Sequence, residues 1–154
     1  MSDWNRRTRE VSVERLPTET TNAIQRHIEQ LNLGPILSDA LLCVYTDSEK
    51  AKKGLFGRAE TVRMAAILTQ RWLVWSVEQP NAKAAVLSAQ LIHVTIQDYA
   101  QTSFAGLIPD SGIQVTGMFT NAVESVSAFI GLEENVAGNR FKDLAIKTAQ
   151  AARK

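Results

Sequence analysis

Few side chains in this sequence have reactive potential: His27, His93, a single cysteine at Cys43, and a basic run of Lys50, Lys52, Lys53 and Arg58 that encloses Leu55 and Phe56. A histidine serves as general base only with a nucleophile or substrate proton in hydrogen-bond reach. The two histidines fall on different predicted elements with no evident nucleophile beside them. His27 borders an apolar helical stripe and reads as a packed or half-exposed residue, since no second ligand stands at metal spacing. His93 falls on the polar side of a predicted strand and reads as solvated. Asp47, Glu49, Glu60 and Asp98 are scattered turn and strand carboxylates. The sequence contains no Gly-x-Ser-x-Gly, Walker phosphate loop, His-Glu-x-x-His or Cys-x-x-Cys. The expectation is a chain that is not an enzyme, with no cofactor and no metal.

The basic run supports binding rather than catalysis. Each lysine or arginine near an anionic surface contributes about 1 kcal/mol, and Leu55-Phe56 supplies an apolar point able to enter the interface. Glu49 and Glu60 flank the run, and a charged loop is ordinarily a solvated one. Lys50, Lys52, Lys53, Leu55, Phe56 and Arg58 form the candidate ligand-binding set.

At 154 residues and 45% apolar, the chain suits one domain with a real core. Seventeen basic against sixteen acidic residues leave a formal charge of +1, too little for a global field that attracts nucleic acid. The aromatic residues do not interleave with basic ones as a base-stacking platform requires, so no nucleic-acid partner is expected. Cys43 cannot pair internally and lies in an apolar run, which suits a reducing compartment and a cytoplasmic location. Arg6, Arg7, Arg9 and Arg15 precede no apolar stretch, so neither a secretory signal nor a transmembrane segment is expected there. Residues 1–15 read as a flexible polar arm that Trp4 could pin down.

The elements follow from periodicity. Ile24, Ile28 and Leu31 lie at helical spacing between Pro17-Thr18 and Gly34-Pro35, giving an amphipathic helix over 16–34. Strands are expected from Ala40 to Tyr45 and from Ala59 to Thr69, where Val62, Met64, Ala66 and Leu68 alternate despite good helix formers. A tight turn at Thr69 to Arg71 returns the chain as Trp72 to Val77, paired antiparallel. Further strands are read at Lys83 to Ser88, at Leu91 to Gln97 with Ile92, Val94 and Ile96 on one face, at Ile113 to Phe119 and at Ser125 to Ile130. A loop spans Tyr99 to Ser111. The period then becomes helical over 133–153, with Val136, Ala137, Phe141, Leu144, Ala145 and Thr148 on one side and Glu133, Glu134, Arg153 and Lys154 placed to suit the helix dipole. Gly138 within it costs about 1 kcal/mol relative to alanine, and close approach to the sheet is its expected reason. The predicted core is Leu42, Val44, Val62, Met64, Leu68, Leu73, Trp75, Val94, Ile96, Val115, Val126, Phe141 and Leu144.

Two strings carry a resemblance. Leu68-Thr69-Gln70-Arg71-Trp72-Leu73-Val74-Trp75 resembles a hairpin of bacterial pleckstrin-homology and GRAM-type domains, and Val86-Leu87-Ser88-Ala89-Gln90-Leu91-Ile92-His93-Val94 resembles the strand entry that follows it. The resemblance covers Ala40 to about Ala152. It implies an α+β, mainly β fold: a pleckstrin-homology-like bent barrel of about seven antiparallel strands over 40–130, capped by the C-terminal helix, with an extra N-terminal helix, all in one domain over 16–154. The Ala-rich second strand, the long loop near Gly106 and the lack of a dense basic signature depart from phosphoinositide-binding members. The expected function is a non-catalytic binding module, for a protein partner or for self-assembly through a sheet edge or the groove beside the C-terminal helix. Binding of anionic lipid headgroups through loop 50–58 is the alternative reading, and an enzyme lacking these motifs is the third.

Overall fold

A computed structural model describes residues 3–50, 57 and 59–153. The chain forms β1 (Trp4–Glu10), α1 (Thr18–Leu31), β2 (Leu42–Lys50), β3 (Glu60–Leu68), β4 (Trp72–Glu78), β5 (Ala85–Gln90), β6 (Val94–Asp98), β7 (Gly112–Gly117), β8 (Val126–Gly131) and α2 (Val136–Ala152), with short 3-10 turns between some of them. All strand pairing is antiparallel, in a five-stranded sheet ordered β1 to β5 and a three-stranded sheet ordered β6 to β8. The mainly β, α+β class and both helices agree with the sequence reading. Among the described residues the strands number eight, and the two sheets do not close into a continuous hydrogen-bonded barrel.

Local chemistry explains the boundaries. Asn32 stops α1 in the left-handed region at φ 55°, and the Leu33 amide donates back to the Ile28 carbonyl at 3.0 Å. The β3–β4 turn is held by Thr69, whose Oγ1 accepts from the Trp72 amide at 2.9 Å and from the Arg71 amide at 3.2 Å. Its own amide donates to the Trp72 carbonyl, setting Leu68 opposite Leu73.

Alternation in β2, β3 and β4 feeds two cores rather than one. Val44, Leu68, Leu73 and Trp75 point between the sheets, where Val94, Val115, Ile130 and Phe141 meet them. Cys43, Tyr45, Ala65, Ile67 and Val74 point the other way, under Ile24 and Ile28 of α1. Strands covered on both faces lose the apolar-polar alternation and read as continuous apolar runs, as Leu42-Cys43-Val44-Tyr45 at the start of β2 does.

Several expectations require correction. The polar arm is instead β1 over Trp4–Glu10, paired in full register with β2. Ile92 does not share a face with Val94: a 3-10 turn at Leu91–His93 buries Leu91 and leaves Ile92 56% exposed. Val136 is 84% exposed, because the buried stripe of α2 runs through Gly138, Phe141, Ala145 and Ala149. Val126, at the start of β8, is also exposed. The atoms nearest to a side chain at Gly138 belong to Glu133 and Asn135 rather than to a strand. A Cβ there would overlap the Glu133 carbonyl oxygen, which folds back over the first helical turn.

The seam between β1 and the end of β8 is joined by side chains. The Thr8 amide donates to Glu133 Oε1 at 3.0 Å, the Glu133 amide donates to Thr8 Oγ1 at 2.8 Å, and Asn135 Nδ2 donates to the Thr8 carbonyl at 2.9 Å. Beside them Arg6 donates to both carboxylate oxygens of Asp110, at 2.9 and 2.6 Å, and to Ser48 Oγ at 2.7 Å. Its guanidinium lies over the rings of Trp4 and Phe129, and Gly131 is the residue whose missing Cβ leaves it room. At its centre the β1 edge thus has its backbone groups occupied, which guards it against strand addition.

Candidate functional site

Of the six residues in the sequence-derived binding set, Lys50 is described: it ends β2, half-buried, with its ammonium 5.8 Å from the centre of the Trp4 ring. Lys52, Lys53, Leu55, Phe56 and Arg58 lie outside the described residues.

The histidines remain apart. His93 is exposed. His27 is half-buried on α1, with Nε2 2.8 Å from Ser88 Oγ on β5, and burial lowers its pKa below the ordinary 6.5. A serine next to a neutral imidazole resembles an activated nucleophile. Ser88 is nevertheless 2% exposed, and its hydroxyl donates to Thr120 Oγ1 at 2.8 Å while Thr120 donates back to the Ser88 carbonyl. The group ties the β7–β8 loop to β5, where Phe119 also meets Trp75 edge-on at 5.2 Å. Cys43 is buried, and burial pushes its thiol up to about 12, so it is a packing residue rather than a nucleophile. Among the described residues no three His, Cys, Asp or Glu side chains converge as a metal site. No described helix is long and apolar enough to cross a membrane.

Two larger concavities stand out. One, of about 1050 Å³, lies between α1 and the β4–β5 turn. Its charges have both signs and are partly committed: Arg63 pairs with Asp47 at 3.0 Å and Glu78 accepts from Thr20 at 2.5 Å. The other, of about 810 Å³, is a groove between the last turns of α2, the β3–β4 turn and the β5–β6 link. Leu41, Trp72 and Ile92 provide its apolar wall, Ala151 makes the helix side shallow, and Arg71 and Lys147 bring charge. A smaller hollow of about 470 Å³ shares Leu41, Arg71 and Trp72 with it and extends toward Ile36 and Asp39.

The groove beside the C-terminal helix was foreseeable as a place but not as residues. From the sequence Leu41 reads as part of the strand Ala40 to Tyr45, and Ile92 as sharing a strand face with Val94 and Ile96. The exposure of Ile92 follows from the 3-10 turn at Leu91–His93, which becomes visible only in three dimensions. A separate apolar tip, Phe104, Leu107 and Ile108, stands exposed on the β6–β7 loop. Its base is fixed by the Tyr99 hydroxyl donating to the Ile108 carbonyl at 2.6 Å and by the Arg6–Asp110 pair. Comparisons with family models, curated proteins and solved structures gave no match for this chain.

Proposed function

We propose that the chain is a non-catalytic, cytoplasmic binding module of pleckstrin-homology-like fold, and that the groove between α2 and the β3–β4 turn holds a segment of another protein or of a second copy. The fold assignment draws on the four-plus-three order of β2–β5 and β6–β8 followed by α2, together with the hairpin string at Leu68 to Trp75. One observation carries the functional reading. The groove sets Leu41, at 46% exposure, and Ile92 opposite the small residues of a helix end, a shape that accepts apolar side chains from a partner. The occupied centre of the β1 edge favours this groove over strand addition at that edge. Light scattering of the parent chain and of Ile92→Asp tests the self-assembly form. A mass well above 17.0 kDa that reverts to monomer in the variant supports it, and a monomer in both leaves a different protein as the occupant.

The exposed tip at Phe104, Leu107 and Ile108 favours a second reading, peripheral binding to an anionic membrane. It adjoins, through Asp110, Arg6 and Trp4, the end of β2 where Lys50 opens the basic run. Sedimentation with anionic and neutral liposomes at two salt concentrations, beside Lys50→Glu/Lys52→Glu/Lys53→Glu and Leu107→Asp variants, decides it. Equal absence of binding in every condition rejects it.

A further inference from the structure

Resting on the groove reading above, we infer that the occupant is an acidic amphipathic peptide segment. Its apolar residues cover Leu41, Trp72 and Ile92, and its carboxylates face Arg71 and Lys147. The argument begins with charge. The chain as a whole is balanced, 17 basic against 16 acidic residues, yet the residues lining the groove include Arg71 and Lys147 and no aspartate or glutamate. Neither cation forms an ion pair with a described residue, and both are exposed. Among the described residues Arg6, Arg9, Arg63, Arg140 and Lys142 each have an acidic partner, whereas Arg7, Arg15, Arg26 and Lys83 have none, so what marks the groove is that its two free cations share one concavity with no carboxylate in its lining. A one-signed concavity with unpaired cations selects a partner of opposite sign and speeds its arrival.

Shape narrows the class further. The groove is open to solvent rather than enclosed, whereas sites for small molecules bury most of the ligand surface. An open trough with an apolar floor suits a chain segment that lays one side along it. Gln70 and Gln90 at the margin offer amide groups to a backbone. Asp39 lies in the adjoining hollow, which Arg71 also lines, and not in the groove itself, whose lining contributes only positive charge. Two cations beside one half-buried indole, Trp72, make too short a track for a nucleic-acid strand, which needs a charged path with repeated stacking.

The test is selection of a displayed random library of 16-residue peptides against the full chain, followed by affinity measurement on Arg71→Glu/Lys147→Glu, Ile92→Asp and Leu41→Asp. All four substituted positions are at the surface and helical or strand content is checked by circular dichroism. The expected result is an enriched pool with net negative charge and apolar residues. Its binding weakens about tenfold or more in the charge-reversed variant, falls with added salt, and is lost in Ile92→Asp. A neutral or basic pool that is lost in Ile92→Asp but unchanged in Arg71→Glu/Lys147→Glu overturns the charge inference while the groove reading stands. Failure of any peptide to enrich, or a pool that binds Ile92→Asp and Leu41→Asp as well as the parent, overturns both. A single-stranded oligonucleotide that binds more tightly than every selected peptide, and is lost in the charge-reversed variant, assigns the cations to phosphate and also overturns it.

Discussion

Replacing Gly138 by alanine sets two effects of opposite sign against each other. Helix propensity favours alanine by about 1 kcal/mol. The structure places the Glu133 carbonyl oxygen where the new Cβ must go, and a backbone atom cannot swing aside as a side chain can. The turn ahead of α2 must therefore move. That turn carries the Asn135 cap, whose Oδ1 accepts from the Gly138 amide at 2.8 Å, and the three bonds that join Glu133 and Asn135 to Thr8. Loss of the cap costs about 1 kcal/mol and loss of each seam bond about 1 kcal/mol net, so partial to full disruption outweighs the propensity gain by about 1–3 kcal/mol. For a chain of this size that lowers Tm by roughly 3–10 °C. Urea unfolding followed by tryptophan fluorescence measures it. Gly106→Ala serves as control, because a Cβ there meets open space. A Gly138→Ala variant more stable than the parent would refute the steric account of α2's first turn.

The buried ion pair between Arg6 and Asp110, whose side chains are 9% and 8% exposed, gives a second prediction. Arg6→Met takes the guanidinium from a buried carboxylate that keeps the Ser111 amide and costs about 3 kcal/mol, whereas Arg6→Met/Asp110→Leu recovers part of that loss; a double-mutant cycle in urea checks both. His27 gives a pH dependence. Its folded-state pKa is depressed by burial, so below 6.5 the unfolded chain binds more protons and stability falls as pH drops through that value, rising again toward neutrality. His27→Gln should abolish that slope in Tm-versus-pH measurements, and an unchanged slope assigns it to other groups. Cys43, with its thiol pushed up to about 12, should not react with a thiol reagent at pH 8 until the chain unfolds, so labelling in the folded state as fast as in denaturant would contradict its burial.

The β3–β4 hairpin was legible because its signals are local: alternating apolar residues on both arms and a Thr69 turn whose hydroxyl satisfies amides two and three positions on. β1 was not. Its inward residues are Arg6 and Thr8 rather than hydrophobes, and what makes them acceptable in a strand is Ser48, Asp110 and Glu133, supplied 42 to 125 positions away. The outer core was hidden for a related reason. Continuous apolar runs in β2 and β3 report burial on both faces but do not say that α1 supplies the second cover. The constraint on Gly138 comes from the Glu133 carbonyl just ahead of the helix, which propensity does not register. The groove shares this character, being assembled from Leu41, the Thr69 turn, Ile92 and the end of α2, each unremarkable in isolation.

The most direct test of groove recognition is to titrate a selected acidic amphipathic peptide into isotope-labelled protein and map the amide shifts by nuclear magnetic resonance. The largest changes are expected at Leu41, Arg71, Trp72, Ile92 and Lys147, with little at His27 or Leu107. Changes concentrated at the β6–β7 tip or in the cleft beside α1, with the groove residues unmoved, would contradict binding at this site.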